Sequence, residues 1–256
     1  MEHLKFQVLA FIYASLFGSF LNVVIYRLPR KLDLVFARSQ CPKCGHKIHW
    51  YELVPIFSFL FLRAKCSNCK TPISWRYPIT ELVIALMAVY LFPVNVGLQS
   101  ITLALFYFLT FSIFVCHFQI DLEHKILPDS LNIILFSMFL SFGIFMTHWT
   151  HWLLGGALGF LFPLGITWLF YLIRGQVGLG GGDIKLYGIL GIILGPELVV
   201  QNIFTSCFLG ALIGGFLIWR KKLKRDESLP FGPFILVVAF IQIFFPQVAE
   251  YFSKLI

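Results

Sequence analysis

The strongest constraint on this chain is a series of long apolar runs that carry no charged residue: Phe6 to Ile25, Ile101 to Ile120, Leu131 to Met146, Trp152 to Ile173, Leu198 to Trp219 and Phe231 to Ala249. Several approach the ~20 residues that cross ~30 Å of hydrocarbon as a helix. Two shorter runs, Ile79 to Phe92 and Ile184 to Gly195, bring the expected spans to about eight. The composition agrees: 59% of the 256 residues are hydrophobic and only 12% charged, against roughly 25% charged in a soluble domain. The expected fold class is therefore an all-α polytopic membrane protein. The first run is too long for a signal-peptide core and ends in Tyr26-Arg27-Leu28-Pro29-Arg30, so it is read as a retained helix.

Eight spans sort the 20 basic residues unevenly. Ten fall between Arg27 and Arg76, five between Arg220 and Arg225, two at Arg174 and Lys185 and one at Lys125, so that 18 of 20 share one side. The positive-inside rule places that side in the cytoplasm and both termini outside. A net charge of +8 then follows from orientation and contact with anionic membrane lipid, and no nucleic-acid partner is expected.

Only the stretch from Pro29 to Pro78 is long enough to fold outside the membrane. It divides the chain into a first helix (1–28), a cytoplasmic zinc-binding domain (29–78) and a seven-helix membrane domain (79–256). Cys41-Pro42-Lys43-Cys44 and Cys66-Ser67-Asn68-Cys69 form two C-x2-C turns 21 residues apart. Each such turn points two sulfurs inward, and two turns can wrap four thiolates round one structural zinc ion. Four cysteines close the coordination sphere, which argues against catalytic zinc, and a reducing cytoplasm argues against disulfides. His46 and His49 are alternative ligands. Cys116 and Cys207 stand alone in apolar runs and read as small buried hydrophobes.

With only 12 acidic residues in the chain, carboxylates at helix ends stand out. Asp121 closes the third span in Phe118-Gln119-Ile120-Asp121, and Asp183 opens the sixth after Gly178-Leu179-Gly180-Gly181-Gly182. Ionisable groups at membrane depth are costly and are usually functional or paired. On the topology above both lie at the cytoplasmic ends of their helices and can meet. The run after Asp183 gives only about 18 Å of helix, which suggests a submerged start. The alternative is that Asp183 is an N-cap with the glycines as a turn. Two facing carboxylates share a proton, one activating water while the other donates to a scissile carbonyl. Glycines beside them would let an unwound substrate strand approach. A membrane scaffold or transporter, with the carboxylates binding a cation or proton, is the competing class.

Small residues also mark helix-packing faces: Ser15, Gly18, Ser19 and Asn22 in the first helix, Gly188, Gly191 and Gly195 in the sixth, and the Gly210-x-x-x-Gly214 pair.

Taken together, Gly180-Gly181-Gly182-Asp183, the segment Phe17 to Pro29, the two cysteine turns, Tyr51-Glu-Leu-Val-Pro55, Ser74-Trp-Arg-Tyr-Pro78 with Glu81, Asp121 with Pro128-Asp129, Asp183-Ile-Lys-Leu186 and Pro230-Phe-Gly-Pro233 resemble the bacterial type IV prepilin peptidases. The matches run in order through the chain. The resemblance implies an inner-membrane, bifunctional enzyme. It would remove the short basic leader of prepilins and pseudopilins at the cytoplasmic face with Asp121 and Asp183, supported by Gly180, Gly182 and Lys185. It would also methylate the new N-terminal amine from S-adenosylmethionine. That second activity is associated with the segment between the first two helices, where Glu52, Arg76 and Glu81 are candidates to support it. Two positions depart from the pattern: the variable residue of G-x-G-D is itself glycine, Gly181, and Asn132 stands where the family often has threonine.

Overall fold

A computed structural model describes residues 2–34, 36–92, 98–176, 178–222 and 229–247. The outer connection at 93–97, the end of the basic run at 223–228 and the last turn of the final expected span with Lys254 lie outside the described residues. The described chain is helical: α1 (Glu2–Arg27), the short α2 (Phe57–Phe61), α3 (Arg76–Leu91), α4 (Leu98–His124), α5 (Asp129–Met146), α6 (Trp149–Arg174), α7 (Gly181–Trp219) and α8 (Gly232–Phe244). Five of these, α1 and α4 to α7, are long and apolar enough to cross a membrane. The chain forms two compact units, Met1–Cys116 and His117–Ile256.

In the first unit α1 and α3 pack antiparallel. Gly18 sits so close to α3 that an added Cβ would fall 2.9 Å from the Glu81 Cα. One turn on, the Asn22 side-chain amide donates to the Tyr77 carbonyl at 3.1 Å. These two contacts fix the register and bury Ile25, Ile84, Ala85 and Ala88. The expected small-residue face of the first helix is thus its packing face.

In the second unit α6 and α7 meet backbone to backbone. A Cβ on Gly155 would collide with the Gly191 carbonyl oxygen, and one on Gly191 with that of Gly155. Without a hydrophobic drive between helices in lipid, close approach of small residues supplies the packing.

Helix α7 is not one rod. Gly195 interrupts it at φ 77 and ψ 178, a conformation open to glycine, and Pro196 follows. The Tyr187 hydroxyl nonetheless hydrogen-bonds the Ser206 hydroxyl, 19 residues on. A straight helix would hold them about 28 Å apart, so the limbs 181–194 and 196–219 fold back on each other. The expected runs Ile184 to Gly195 and Leu198 to Trp219 are these limbs, and the other short run, Ile79 to Phe92, falls on α3. The Asn202 side-chain amide continues the buried polar chain to Gln242 of α8 at 2.8 Å, and Gln242 donates to the Leu198 carbonyl at 2.9 Å. The donors of this chain find acceptors within the protein, as apolar surroundings require, while the Asn202 Oδ1 has no protein partner.

Cys116 is buried as expected, whereas Cys207 is exposed. It lies on the outer face of the second limb, where a small apolar side chain can meet lipid.

Candidate active site and metal centre

The carboxylate site is built within the second unit. Asp121 occupies the last turn of α4 and is 4% exposed. Its Oδ2 accepts the backbone N–H of Gly232 at 2.9 Å. Gly232 is the first residue of α8, so Asp121 caps a helix 111 residues away with a charge complementary to that helix end. A Cβ on Gly232 would lie 2.8 Å from the same oxygen, so only glycine fits without displacing the carboxylate.

The link from α4 to α5 is short because Lys125 takes the left-handed conformation (φ 55) and donates its amide to the Asp121 carbonyl at 2.8 Å. The turn delivers Leu127 to the site. Its side chain would be 3.2 Å from a Cβ on Gly182 and equally close to one on Gly232. Leu127 therefore wedges the start of α7 against the start of α8 and the Asp121 carboxylate.

Asp183 is the third residue of α7, and Gly180 is the N-cap. The N-cap alternative is thus corrected: Asp183 lies one turn inside, where its carboxylate reaches back to the Gly180 amide, the side-chain half of a capping box. Leu127 borders both Gly182, next to Asp183, and Gly232, whose amide holds Asp121, so the two acids belong to one site. Gly180 has its own reason to be glycine, since a Cβ there would meet Asp183 Oδ2 at 2.9 Å. Gly181 faces open space and would accept a side chain. Lys185 pairs with Asp129 at 2.7 Å, joining the first turns of α7 and α5 on an exposed flank. Asn132, one turn into α5, is buried, and neither polar atom of its side chain has a protein partner. Buried amides of this kind are ordinarily satisfied by water.

Sequence reasoning singled out both aspartates but gave no role to Gly232 or Leu127. The signal for the first was present in Pro230-Phe-Gly-Pro233, since proline early in a helix marks a start and a helix start offers free amides. Nothing marked Leu127, which looks like any apolar residue.

The cysteine segment is a second site, in the first unit. Each C-x2-C turn closes the same way. Cys41 donates its amide to the His46 carbonyl and accepts from Gly45, while Cys66 donates to Thr71 and accepts from Lys70. An isolated antiparallel bridge flanks each turn, Gln40 with Lys47 and Lys65 with Pro72. Gly45 (φ 69) and Lys70 (φ 58) occupy equivalent left-handed positions. The two knuckles bring all four Sγ atoms within 4.8 Å of one another. Cys41 and Cys69 are 3.8 Å apart, about the sulfur–sulfur edge of a tetrahedron with ~2.3 Å Zn–S bonds. The Thr71 hydroxyl, 3.1 Å from the Cys69 sulfur, pushes that thiol down to about 6. The cluster can hold a metal ion, and its donor set and spacing fit structural zinc.

His46 and His49 do not join the sulfurs. They gather with Glu52, and the His49 ring stacks on Tyr51. Glu52 is held below the usual carboxylate range by the Ser67 hydroxyl and then by the His49 amide, whose N–H it accepts at 2.7 Å. With His46 3.8 Å away, Glu52 joins residues of both knuckles. Glu81 is engaged elsewhere: its Oε2 accepts the Ile56 N–H at 2.8 Å. The Arg76 guanidinium lies over the Tyr77 ring. The two glutamates expected to support methyl transfer thus have separate structural partners.

Two family models match the chain: "Bacterial Peptidase A24 N-terminal domain" over residues 12–94 and "Type IV leader peptidase family" over residues 106–215. The prepilin leader peptidase/N-methyltransferase of Burkholderia pseudomallei (strain 1026b) is 34% identical over 263 residues, covering 89% of this chain and 82% of the relative. The protein of the same name from Pseudomonas putida is 32% identical, with 95% and 92% covered. That from Aeromonas hydrophila is also 32% identical, with 91% and 88% covered. No solved structure matches. The coverage spans both compact units, and the chain belongs to the type IV leader peptidase family.

Proposed function

We propose that this protein is a prepilin peptidase and N-methyltransferase of the bacterial inner membrane, with Asp121 and Asp183 as its proteolytic dyad. The observation that carries the reading is the convergence of two acids from α4 and α7, one fixed by the Gly232 amide and the other by the Gly180 amide. Two adjacent carboxylates hold one proton between them. The ionised member takes a proton from water as the oxygen attacks the scissile carbonyl, and the protonated member donates to the carbonyl oxygen. Collapse of the tetrahedral intermediate returns a proton to the leaving nitrogen and frees the new amine. Gly180 keeps a side chain away from Asp183, Gly182 leaves room for Leu127, and Lys185 braces the loop through Asp129.

The substrates in this reading are prepilins and pseudopilins, cut at the cytoplasmic face. In the second reaction S-adenosylmethionine, when bound, would supply the methyl group to the deprotonated new amine and be released as the thioether, the amine's proton passing to solvent. The division into 1–28, 29–78 and 79–256, with both termini outside, accompanies this reading. Cys41, Cys44, Cys66 and Cys69 would hold one zinc ion that shapes the segment between α1 and α3. Glu52 serves the knuckles in this account, and Glu81 the Ile56 amide.

Co-expression with a prepilin tests the dyad. Asp121→Asn and Asp183→Asn should each abolish leader removal, read by mass, while the protein accumulates in the membrane. Normal processing by either variant would remove that residue from the mechanism. A mature product lacking the ~14 Da of one added methyl, the mass difference between CH3 and H, would leave a peptidase only.

A further inference from the structure

We infer that Trp50–Leu62, between the two cysteine knuckles, is a re-entrant anchor that lies in the membrane leaflet on the Arg27 side, its outer face covered by lipid acyl chains. Depth carries the argument. The Ile56 amide is bonded to Glu81, and Glu81 packs against Gly18 of α1. Gly18 lies nine residues before the basic end of α1 at Arg27 and seven before the last apolar residue of its run, Ile25. At 1.5 Å per residue, the Glu81 backbone sits about 10 Å inside the apolar limit of α1, and Ile56 lies one glutamate side chain from it, still below that limit. From there α2 runs back toward the start of α3, where the Phe59 ring, its inward anchor, meets Trp75 at 4.8 Å.

Surface and backbone agree with that depth. Trp50 is 81% exposed, Phe57 59% and Phe61 85%, a patch that water would not favour. Tyr51, Val54, Phe57, Phe61 and Leu62 help line a cleft of about 260 Å³, wide enough for part of an acyl chain. Backbone in hydrocarbon must satisfy its own polar groups, and the amides of Ser58, Leu60, Leu62 and Ala64 all donate to carbonyls of this segment. Pro55 has no amide to satisfy. Ile56 is a β-branched residue at φ 62, where the backbone is strained, and its amide takes the buried Glu81 carboxylate in place of a carbonyl. Arg63 and Lys65 follow at once, both exposed, placed to reach anionic headgroups. The inference stands on membrane geometry and is independent of the peptidase reading.

Photo-crosslinking tests it. The full chain carrying p-benzoylphenylalanine at Phe61, at Phe57 or, as a control, at the exposed knuckle residue Lys70 is reconstituted with a prepilin in vesicles of phosphatidylethanolamine and phosphatidylglycerol, then irradiated and weighed intact. An unchanged thermal midpoint reports that each variant is folded, and Phe57 serves if the Phe61 variant is not. We expect at least about tenfold more phospholipid adduct at Phe61 or Phe57 than at Lys70. Adducts to prepilin or to a second copy of the chain, or no more lipid adduct than at Lys70, overturn the inference.

Discussion

Gly232→Ala is the sharpest perturbation of the proposed dyad because it leaves both acids in the sequence and should cost far more in activity than in stability. The new Cβ would stand 2.8 Å from Asp121 Oδ2 and 3.2 Å from both Asp121 Cγ and Leu127 Cδ2. Van der Waals contact needs about half an ångström more, and the carboxylate is the group free to give. Moving it stretches the 2.9 Å bond from the Gly232 amide. A hydrogen bond to a charged group contributes about 1.5–3 kcal/mol, and ~1.4 kcal/mol is tenfold in rate. Leader cleavage should therefore slow by roughly 10- to 100-fold in kcat, with KM little changed, because the contact positions a reacting group and does not bind substrate. Gly232 has no left-handed φ, so alanine is tolerated by the backbone, and at the first residue of α8 its helix-propensity gain is below the ~1 kcal/mol of a helix interior; the thermal midpoint in detergent should fall only modestly, with unfolding still cooperative. Gly181→Ala, which meets open space, is the matched control and should cleave normally. Wild-type cleavage by Gly232→Ala would refute the positioning role of its amide, and loss of the cooperative unfolding transition alongside slow cleavage would assign the loss to misfolding.

Gly191→Ala drives a methyl into the Gly155 carbonyl, where only backbone could move, and should cost about 1–3 kcal/mol, visible as a lower unfolding midpoint in detergent. Cys66→Ser should lower bound zinc from one equivalent toward none, by elemental analysis, and expose the knuckles to limited proteolysis. A full equivalent retained in the quadruple cysteine variant would disprove the assignment. Glu52→Gln should weaken the knuckle segment by about 1–2 kcal/mol at pH 7, since one charge-assisted bond is reduced to a neutral one. The Glu52 carboxyl titrates below its ordinary range in the folded chain, so its contribution is complete above the unfolded value and is lost as pH falls through the lower folded value. The wild-type advantage, followed by hydrogen exchange of the knuckle amides, should accordingly shrink on acidification below about pH 4.5.

The parts of this protein that could be read from its sequence are those in which a residue type is itself the signal. Spans announce themselves by absence of charge, the four-sulfur cluster by paired thiols, and the proposed dyad by two acids in a chain that has few. Even the fold in α7 was legible, because Gly195-Pro196 breaks a helix and the run before it was too short to span alone. What escaped were contacts made by backbone. The Gly232 amide that holds Asp121 has no side-chain signature, and its partner is 111 residues away. Lys70 takes the left-handed place that Gly45 fills in the first knuckle, so only one of two equivalent turns showed its glycine. The reading of 29–78 as a cytoplasmic segment rests on the ten basic residues between Arg27 and Arg76, an average that also takes in the apolar stretch Trp50 to Leu62. Composition assigns a side of the membrane to a segment as a whole, but depth is assigned residue by residue, through bonds such as that from Ile56 to Glu81. That bond ties a strained, apolar stretch to a buried carboxylate in a helix pair, a backbone contact with no side-chain pattern to announce it.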